Sequence, residues 1–413
     1  MTEMVVYVLL YISLFFEVFV LLVFLERRGE ILPTKKKVSL NKNSLPKATV
    51  MIPVFNEEKT VVKTVNSLLN LSYPKNKLEI LIIDDGSTDN TQGVLAQFKD
   101  HPQIKILSKE NGGKYTALNH GLGFATGDII GCLDADSYVE HDALLHIAEG
   151  FTDKETMAVI PAIKIGNPET ILQHTQAVEY TLSILIRKVF SWIGSVFVTP
   201  GPFSFFRKEV YGIVGPYRHA HNTEDLEICL RMQEKHLKIA NAHDAVVFTI
   251  SPRNIKALYK QRVRWIYGFL RNMKDYYRSF FFQKKHGNLG FFILPISTIS
   301  IYSAIYFGIS LVINTTLNIS KRIGEYAATG LYFDFPSFDF NWFYINTSVP
   351  VIIGAAMISL VFCMLLAGLA ISKEKFRISR GLVFYATIYG FIATYWLMSA
   401  SVKAFLAKKP SWR

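Results

Sequence analysis

The hydrophobic positions of the chain form long runs near its two ends and short runs in between. Residues 4–25 contain one charged side chain, Glu17, and as a helix they would extend about 33 Å at the usual rise of 1.5 Å per residue. Further long runs cover about 289–313, 348–372 and 381–407. Because the hydrocarbon core of a bilayer is about 30 Å thick, this pattern predicts one membrane span at the start of the chain and three near its end.

Basic residues indicate how these spans are oriented. The stretch 27–37, which follows the first run, is rich in arginine and lysine, and the short loop 373–380 carries four basic residues and one acidic residue. Since cytoplasmic loops of membrane proteins are enriched in both residue types, we expect 38–285 to be cytoplasmic. The basic tail 408–413 would then lie outside, unless the last apolar run stays in the membrane interface. The sequence leaves both arrangements open.

Short aliphatic runs between the predicted spans have the pattern of a parallel sheet. Residues 47–54 and 78–83 are rich in β-branched and aliphatic side chains, and the segment 57–71 between them has helical periodicity. A third run of the same kind covers 128–133. The pattern predicts a strand–helix–strand unit, in which ligands bind at the carboxyl ends of the strands.

Acidic side chains follow each of these three predicted strands, and Asn56 accompanies the acid after the first. Asp, Ser and Gly also favour turns and helix caps, so a single such cluster would carry little weight. Three clusters at one edge of a sheet suit a diphosphate held through a divalent metal, and Asp136 in the D-x-D turn is the first choice for the ligand. The phosphate-loop pattern of nucleotide-hydrolysing enzymes is absent, but Lys114 is placed to reach a phosphate or a carboxylate.

Two later segments add candidate chemistry. Thr223 precedes the helical run 226–235 and is a residue type that favours the N-cap position. Asp225 would then lie at a rigid helix start, where a general base could act. The stretches 171–189 and 255–280 are amphipathic and suit a membrane interface, although ordinary core helices have the same pattern. Within the second stretch, the i, i+3, i+4 spacing puts three side chains that suit a sugar ring and a diphosphate on one face: Gln261, Arg264 and Trp265.

The composition agrees with a membrane protein that contains a folded domain. Half of the residues are hydrophobic and 19% are charged, and this composition excludes a chain that is mainly intrinsically disordered. The formal charge of +12 fits the orientation of membrane loops better than nucleic-acid binding, so no nucleic-acid partner is expected. Three widely spaced cysteines provide neither a disulfide framework nor a four-cysteine zinc site.

Six motifs occur in an order that resembles the processive, membrane-embedded branch of glycosyltransferase family 2. That branch contains the poly-N-acetylglucosamine, cellulose, chitin and hyaluronan synthases. The resemblance covers about residues 48–270 by motif and the rest by its pattern of spans. The matching motifs are Pro53–Glu57, Ile83–Asp89, Asn111–Lys114 with Ala117–Asn119, Asp134–Asp136, Thr223–Asp225 and Gln261–Trp265.

The resemblance implies an α/β A-type glycosyltransferase domain of the Rossmann-like, nucleotide-diphospho-sugar transferase kind. It also implies Mg²⁺ or Mn²⁺ held by Asp136 with Asp134, a base at Asp225 beside Glu224, and a small-residue loop near the acceptor that contains Gly201. The Gln261, Arg264 and Trp265 face would seat the acceptor sugar and the pyrophosphate. The residues implied for the nucleotide are Pro53, Phe55, Asn56, Glu57, Asp84, Asp85, Lys114 and Asp134.

We therefore expect four regions: a first span with a basic linker at 1–37, a cytoplasmic transferase domain at 38–253, interface helices at 254–285 and about three spans at 286–413. The expected activity is inverting transfer from a UDP-sugar, with UDP-N-acetylglucosamine as the expected donor, to the growing end of an extracellular polysaccharide at the plasma membrane. Accessory subunits are compatible with this expectation. Two alternatives remain at this point: a single transfer onto a lipid acceptor, and a membrane-attached nucleotidyltransferase or nucleotide sensor.

Overall fold

The computed structural model describes residues 2–31, 44–330 and 347–410. The lysines at 35–37 and Arg413, on which part of the predicted orientation depends, lie outside the described residues. The helices are α1 Thr2–Arg27, α2 Val61–Leu69, α3 Thr91–Leu95, α4 Lys114–Leu122, α5 Ala143–Gly150, α6 Ile171–Trp192, α7 Lys208–Val214, α8 Glu224–Glu234, α9 Ile255–Phe280, α10 Leu294–Thr329, α11 Val349–Ile371, α12 Arg380–Phe384 and α13 Gly390–Phe405.

One mixed sheet of eight strands forms the centre of the domain between α1 and α9. In spatial order its strands run β3-β2-β1-β4-β7-β6-β8-β5, with β1 parallel to both β2 and β4. The strands are β1 Ala48–Val54, β2 Leu78–Asp84, β3 Ile104–Ser108, β4 Ile129–Cys132, β5 Ser137–Val139, β6 Thr156–Ile165, β7 Phe205–Arg207 and β8 Lys238–Thr249. The three predicted strands and their parallel pairing are thus confirmed.

Alternate residues of the central strands pack into two separate cores, one on each face of the sheet. Met51 and Leu81 join the core on the face that carries α4, α6 and α8. Val50 and Ile80 join the core on the opposite face, together with α2 and α5. A strand buried on both faces reads as a continuous apolar run, which explains why β1 and β2 were visible in the sequence. The predicted helix at 57–71 is shorter, Val61–Leu69, because a turn after the left-handed Asn56 (φ 56°) precedes it.

Within the described residues, four helices are long and apolar enough to cross a membrane by length and composition. Their bounds are Met4–Glu30, Leu289–Thr329, Val349–Ile371 and Arg380–Phe405. The second differs from the prediction, because the helix continues well past 313 and Lys321 and Arg322 lie on it rather than in a loop. Lys321 is close enough to Glu325, one turn later, for a helical ion pair at 3.9 Å.

Two helices connect the sheet to these apolar helices. The predicted amphipathic stretches are confirmed as helices at α6 and α9. Helix α6 lies between strands β6 and β8 on one side and helices α11 and α12 on the other, and α9 packs along α13. A complete capping box at Thr170 and Gln173 fixes the start of α6. These two helices therefore place the sheet domain against the apolar helices.

Candidate active site

The loops that follow β1 and β2 are connected by hydrogen bonds. The Asn56 Oδ1 atom accepts from the backbone N–H of Thr88 at 2.7 Å, and the Asn56 N–H donates to the Ser87 hydroxyl at 3.0 Å. Asp84 is fully buried and accepts from the Ser87 N–H and from the Gln92 amide. Asp84 therefore fixes the conformation of the β2 loop, which in turn forms the hydrogen bonds with Asn56.

Asp85 anchors the loop that leads into α4. Its carboxylate accepts from Lys109 Nζ at 2.6 Å and from the backbone N–H groups of Gly112 and Gly113 at 3.1 and 2.8 Å. Gly113 has φ +89°, in the region that favours glycine, and it immediately precedes Lys114. The two acids predicted to hold uridine thus lie at the strand ends with their carboxylates engaged by the protein, and a role toward the base remains a prediction.

The remaining residues predicted for the nucleotide lie at the end of β1. Pro53 is opposite Ile83 in the β1–β2 ladder, and Phe55 and Glu57 follow the strand and are partly buried. The Glu57 carboxylate accepts from the Thr60 hydroxyl at 2.7 Å. These residues and the β2 loop therefore lie together at the carboxyl ends of β1 and β2.

Lys114 connects two acidic elements across the site. Its ammonium group lies 2.6 Å from Asp134 Oδ1, after β4, and 3.3 Å from Glu224 Oε1, at the start of α8. Burial disfavours the charged amine, but Asp134 and Glu224 outweigh it and raise the pKa of Lys114 well above its usual value. The prediction that Lys114 reaches a nearby carboxylate is confirmed.

Asp136 has an environment that suits a cation. Burial, followed by the charges of Asp134 and Glu57, raises the pKa of Asp136 to about 7, and the Ser137 hydroxyl opposes this shift by donating to its carboxylate at 3.2 Å. The described residues contain no cluster of three or more His, Cys, Asp or Glu side chains placed to hold a metal. Asp134 and Asp136 still fit Mg²⁺ or Mn²⁺, because such ions are often held by one or two carboxylates with substrate phosphates as further ligands.

The segment before α8 has an unusual backbone. Three consecutive residues, Ala220, His221 and Asn222, have φ values of 42°, 53° and 67°. Left-handed conformations of non-glycine residues cost free energy and persist only where the surroundings enforce them. The predicted N-cap at Thr223 is wrong in one respect: Thr223 precedes the helix, but its hydroxyl donates to the Ala220 carbonyl and accepts no bond from the first turn of the helix.

Asp225 is held rigidly and its acidity is altered. Its Oδ1 atom accepts from the Leu226 N–H at 2.9 Å, and its backbone carbonyl accepts from the Thr199 hydroxyl at 2.8 Å. Burial and then the charge of Glu224 raise the pKa of Asp225 to about 6, against the opposing charges of Lys114 and Arg264. A carboxylate with a pKa near neutrality is suited to accept a proton.

A cavity of about 580 Å³ joins these groups to α9. Gln261, Arg264 and Trp265 all line it, as do Asp136 and Asp225. The predicted common face of α9 therefore points at the acids. Arg264 Nη1 also donates to the Asn222 carbonyl at 3.3 Å, which connects α9 to the left-handed segment.

Gly201 lines the same cavity from the loop before β7. A Cβ atom at this position would lie 2.9 Å from Lys114 Nζ and 3.4 Å from Asp134 Oδ2. Any larger residue would press on the lysine that joins Asp134 to Glu224. Glycine at 201 therefore permits the close approach of its loop to the acids.

An ion pair that the sequence did not predict lies against Trp265. Arg262 donates to both oxygens of Glu179 on α6, at 2.7 and 2.8 Å, and the Tyr389 hydroxyl donates to the same carboxylate at 2.8 Å. The guanidinium of Arg262 lies over the Trp265 ring, 4.7 Å from its centroid. In the sequence, the signal for this ion pair is Arg262 itself, a second arginine in the motif two positions before Arg264. Its partners Glu179 and Tyr389 are distant in sequence.

Similarity to known proteins decides the family. The model of glycosyl transferase family 2 matches residues 49–213. Poly-beta-1,6-N-acetyl-D-glucosamine synthase of Staphylococcus epidermidis is 32% identical over 296 residues, which cover 71% of this chain and 70% of the synthase. The chain belongs to glycosyltransferase family 2. The same synthase from Staphylococcus aureus strain COL is 33% identical over 236 residues, 56% of this chain and 57% of that protein.

A solved glycosyltransferase has the same fold. The mannosyltransferase PcManGT from Pyrobaculum calidifontis, in complex with GDP-Man and Mn²⁺, matches with a TM-score of 0.60 and 18% identity, over 97% of this chain and 99% of that one. The A-type fold with apolar helices is thus confirmed. As a family 2 member the chain is an inverting glycosyltransferase of the membrane, and the alternative of a nucleotidyltransferase or nucleotide sensor is wrong.

Proposed function

We propose that this glycosyltransferase transfers N-acetylglucosamine from UDP-N-acetylglucosamine to the non-reducing end of a growing extracellular polysaccharide. The observation that carries the proposal is the single cavity that joins Asp136, Asp225 and Trp265 and is also lined by Ser297 and Ile301 of the apolar helix α10. A site that opens directly onto an apolar helix suits a product that leaves through the membrane. The staphylococcal relatives, named for poly-β-1,6-N-acetylglucosamine, support the choice of sugar.

The chemistry follows from the placement of the charged groups. Asp225 removes the proton from the acceptor hydroxyl, the hydroxyl oxygen bonds to the anomeric carbon, and the bond from that carbon to the UDP oxygen breaks with inversion. Arg264 lies beside the cavity, where its charge offsets that of the departing UDP. A Mg²⁺ or Mn²⁺ ion held by Asp136 and Asp134 would supply further positive charge to the diphosphate.

The proposal includes an orientation in the plasma membrane. The domain between α1 and α9 faces the cytoplasm, where UDP-sugars are available, and α1, α10, α11 and the helix from Arg380 to Phe405 span the bilayer. The basic residues at 27–37 and 373–380 support this arrangement.

A single transfer onto a lipid acceptor is the second candidate, because the cavity wall includes α10. The length of the product separates the two. Purified protein in nanodiscs is given a panel of UDP-sugars with Mg²⁺ or Mn²⁺, and the products are resolved by size. The proposal expects long chains from UDP-N-acetylglucosamine, and products extended by one sugar would overturn it.

Trp265→Leu sharpens this experiment. If the indole seats the terminal sugar, the variant should lose about tenfold in activity and release shorter chains, because the aromatic surface is gone and an apolar side chain remains. Tyr277→Leu is the matched control, since it removes an aromatic side chain from an exposed part of the same helix. Equal chain lengths from the two variants would contradict the role of Trp265.

A further inference from the structure

The cavity extends beyond the predicted base along one face of α6. Tyr180, Ser183 and Arg187 lie at i, i+3 and i+7 on this helix, and all three line the cavity. None of them belongs to the motifs that carry the family resemblance. This face therefore adds a polar wall to the site.

Two groups on this wall have no internal partner. The buried Oγ atom of Ser183 and the buried Nη1 atom of Arg187 have no hydrogen-bond partner among the described residues. Arg187 also has no ion pair in the described part of the chain, whereas Lys114 and Arg262 on the same cavity are both paired with carboxylates. Buried polar groups are nearly always satisfied, so an unsatisfied pair facing a cavity indicates a ligand that supplies the missing partners.

Aromatic side chains also line the cavity. Phe190, Phe197 and Phe269 line it in a row, with ring centroids 5.9 and 6.0 Å apart along the row. A sugar ring presents an apolar C–H face and a rim of hydroxyl and amide oxygens. A cavity lined both by aromatic rings and by unsatisfied donors matches both properties.

We propose that Ser183 and Arg187 form a binding site for the acceptor glycan behind its terminal sugar, where they donate to its hydroxyl and acetamide oxygens. The inference rests on the proposed function and adds residues to it. A neutral, oxygen-rich glycan suits this site, because the hydroxyl of Ser183 and the guanidinium of Arg187 can donate to its oxygens while the aromatic side chains contact its C–H faces. Burial lowers the pKa of Arg187, and the charges of Tyr180 and then Asp225 oppose this shift.

Arg187→Met tests the site because it removes the donors and keeps much of the apolar stem. Transfer to a short oligosaccharide of β-linked N-acetylglucosamine is compared with hydrolysis of UDP-N-acetylglucosamine by water. We expect the KM for the oligosaccharide to rise about tenfold or more and the polymer to shorten, because a charged hydrogen bond is lost. The KM for UDP-N-acetylglucosamine in hydrolysis should stay at the wild-type value, since Arg187 acts on the acceptor and not on the donor.

Lys188→Met is the matched control on the same helix. It also removes one positive charge, but Lys188 Nζ donates to the Asn241 carbonyl at 3.2 Å and does not line the cavity. Its KM for the oligosaccharide should stay at the wild-type value. If Arg187→Met does not fold, Ser183→Ala decides the matter, because it deletes a single hydroxyl and should still raise this KM.

The outcomes separate this inference from the proposed function. A wild type that elongates the oligosaccharide while Arg187→Met and Ser183→Ala do so with unchanged KM overturns the acceptor site alone. A wild type that makes no polymer and extends only a polyprenyl phosphate overturns the proposed function. If Arg187→Met then weakens use of that lipid, Arg187 binds a phosphate and the glycan site is wrong.

Discussion

A substitution of Asp225 should separate the effect on proton transfer from the effect on nucleotide binding. Asp225→Asn keeps the shape of the side chain and the bond from the Leu226 N–H but removes the basic oxygen. We expect transfer to fall by about 10²–10⁴-fold or more, while UDP affinity changes little. Turnover and UDP binding are measured on the same preparation. Asp100→Asn on the exposed surface of the domain is the control, and more than about a tenth of wild-type turnover in Asp225→Asn would refute the assignment.

Asp136→Ala should differ from Asp225→Asn, because it should weaken nucleotide binding as well as turnover. It removes the carboxylate whose pKa is raised by burial, Asp134 and Glu57, and with it the proposed metal ligand. Metal-dependent UDP affinity should therefore fall together with turnover. Isothermal titration with UDP in the presence and absence of Mn²⁺ measures this. UDP affinity that keeps its wild-type response to Mn²⁺ would place the metal elsewhere.

The acidity of Asp225 predicts a pH profile. Because burial and Glu224 raise its pKa to about 6, the carboxylate is protonated at higher pH than an ordinary aspartate, and only the ionised form can accept a proton. The turnover number at saturating donor should rise through about pH 6 and level off above about pH 7. Glu224→Gln, which removes the neighbouring charge, should move this rise to lower pH. A profile that is flat down to the range of ordinary aspartates would contradict the raised pKa.

At the scale of elements, Glu179 connects α6, α9 and the segment of the last apolar helix that carries Tyr389. Glu179→Gln keeps the size of the side chain but removes the charge that holds Arg262, whose guanidinium covers Trp265. We expect a loss of about 1–3 kcal/mol in stability and a higher KM for the acceptor, with the turnover number less affected. Thermal unfolding and acceptor kinetics test both effects.

A matched control comes from an exposed ion pair. Arg253 and Glu169 lie 3.0 Å apart with side chains more than half exposed, so Glu169→Gln should change stability by less than about 1 kcal/mol. Tyr389→Phe removes a single hydrogen bond to Glu179. It should raise the KM for the acceptor by less than Glu179→Gln does. If Glu179→Gln lowers stability but leaves the KM for acceptor unchanged, the ion pair is structural only and does not position Trp265.

Elements with a local signal could be predicted from the sequence. Strands β1 and β2 are continuous aliphatic runs, and α9 has a clear helical period, so the bounds of α9 match the prediction of 255–280. Strands β5 and β7 have three residues each, which is too short for a period. The parallel pairing of β6 with β8 joins segments far apart in the chain, and only tertiary packing determines it.

The same distinction applies to the site. The convergence of Asn56, Asp84 and Asp134 was predictable, because parallel strands end at the same edge of a sheet. The ion pair between Lys114 and Glu224 was not, because it depends on how α4 and α8 pack against each other. Arg187 was not predicted, because it lies within the amphipathic stretch 171–189, whose helical period indicates a membrane-interface helix and gives no separate signal for a ligand site.

At the scale of the whole molecule, the described helices allow the orientation to be tested. Cys132 and Cys229 are buried, so Cys363→Ser gives a background without an accessible thiol among the described residues. Three exposed positions report on different sides of the membrane: Asp100 in the sheet domain, Thr329 at the end of α10 and Lys408 after α13. Each is changed to cysteine in this background.

With four spans and an outside N-terminus, the three cysteines should respond differently to an impermeant thiol reagent. Asp100→Cys should react only after the cells are permeabilised, because the proposed orientation, based on the basic residues that follow α1, puts the domain in the cytoplasm. Thr329→Cys should react in intact cells. Lys408→Cys should also react there, since the helix Arg380–Phe405 is long and apolar enough to cross. Labelling of Asp100→Cys in intact cells would reverse the orientation, and protection of Lys408→Cys beside a reactive Thr329→Cys would mean that the last helix stays on the cytoplasmic side.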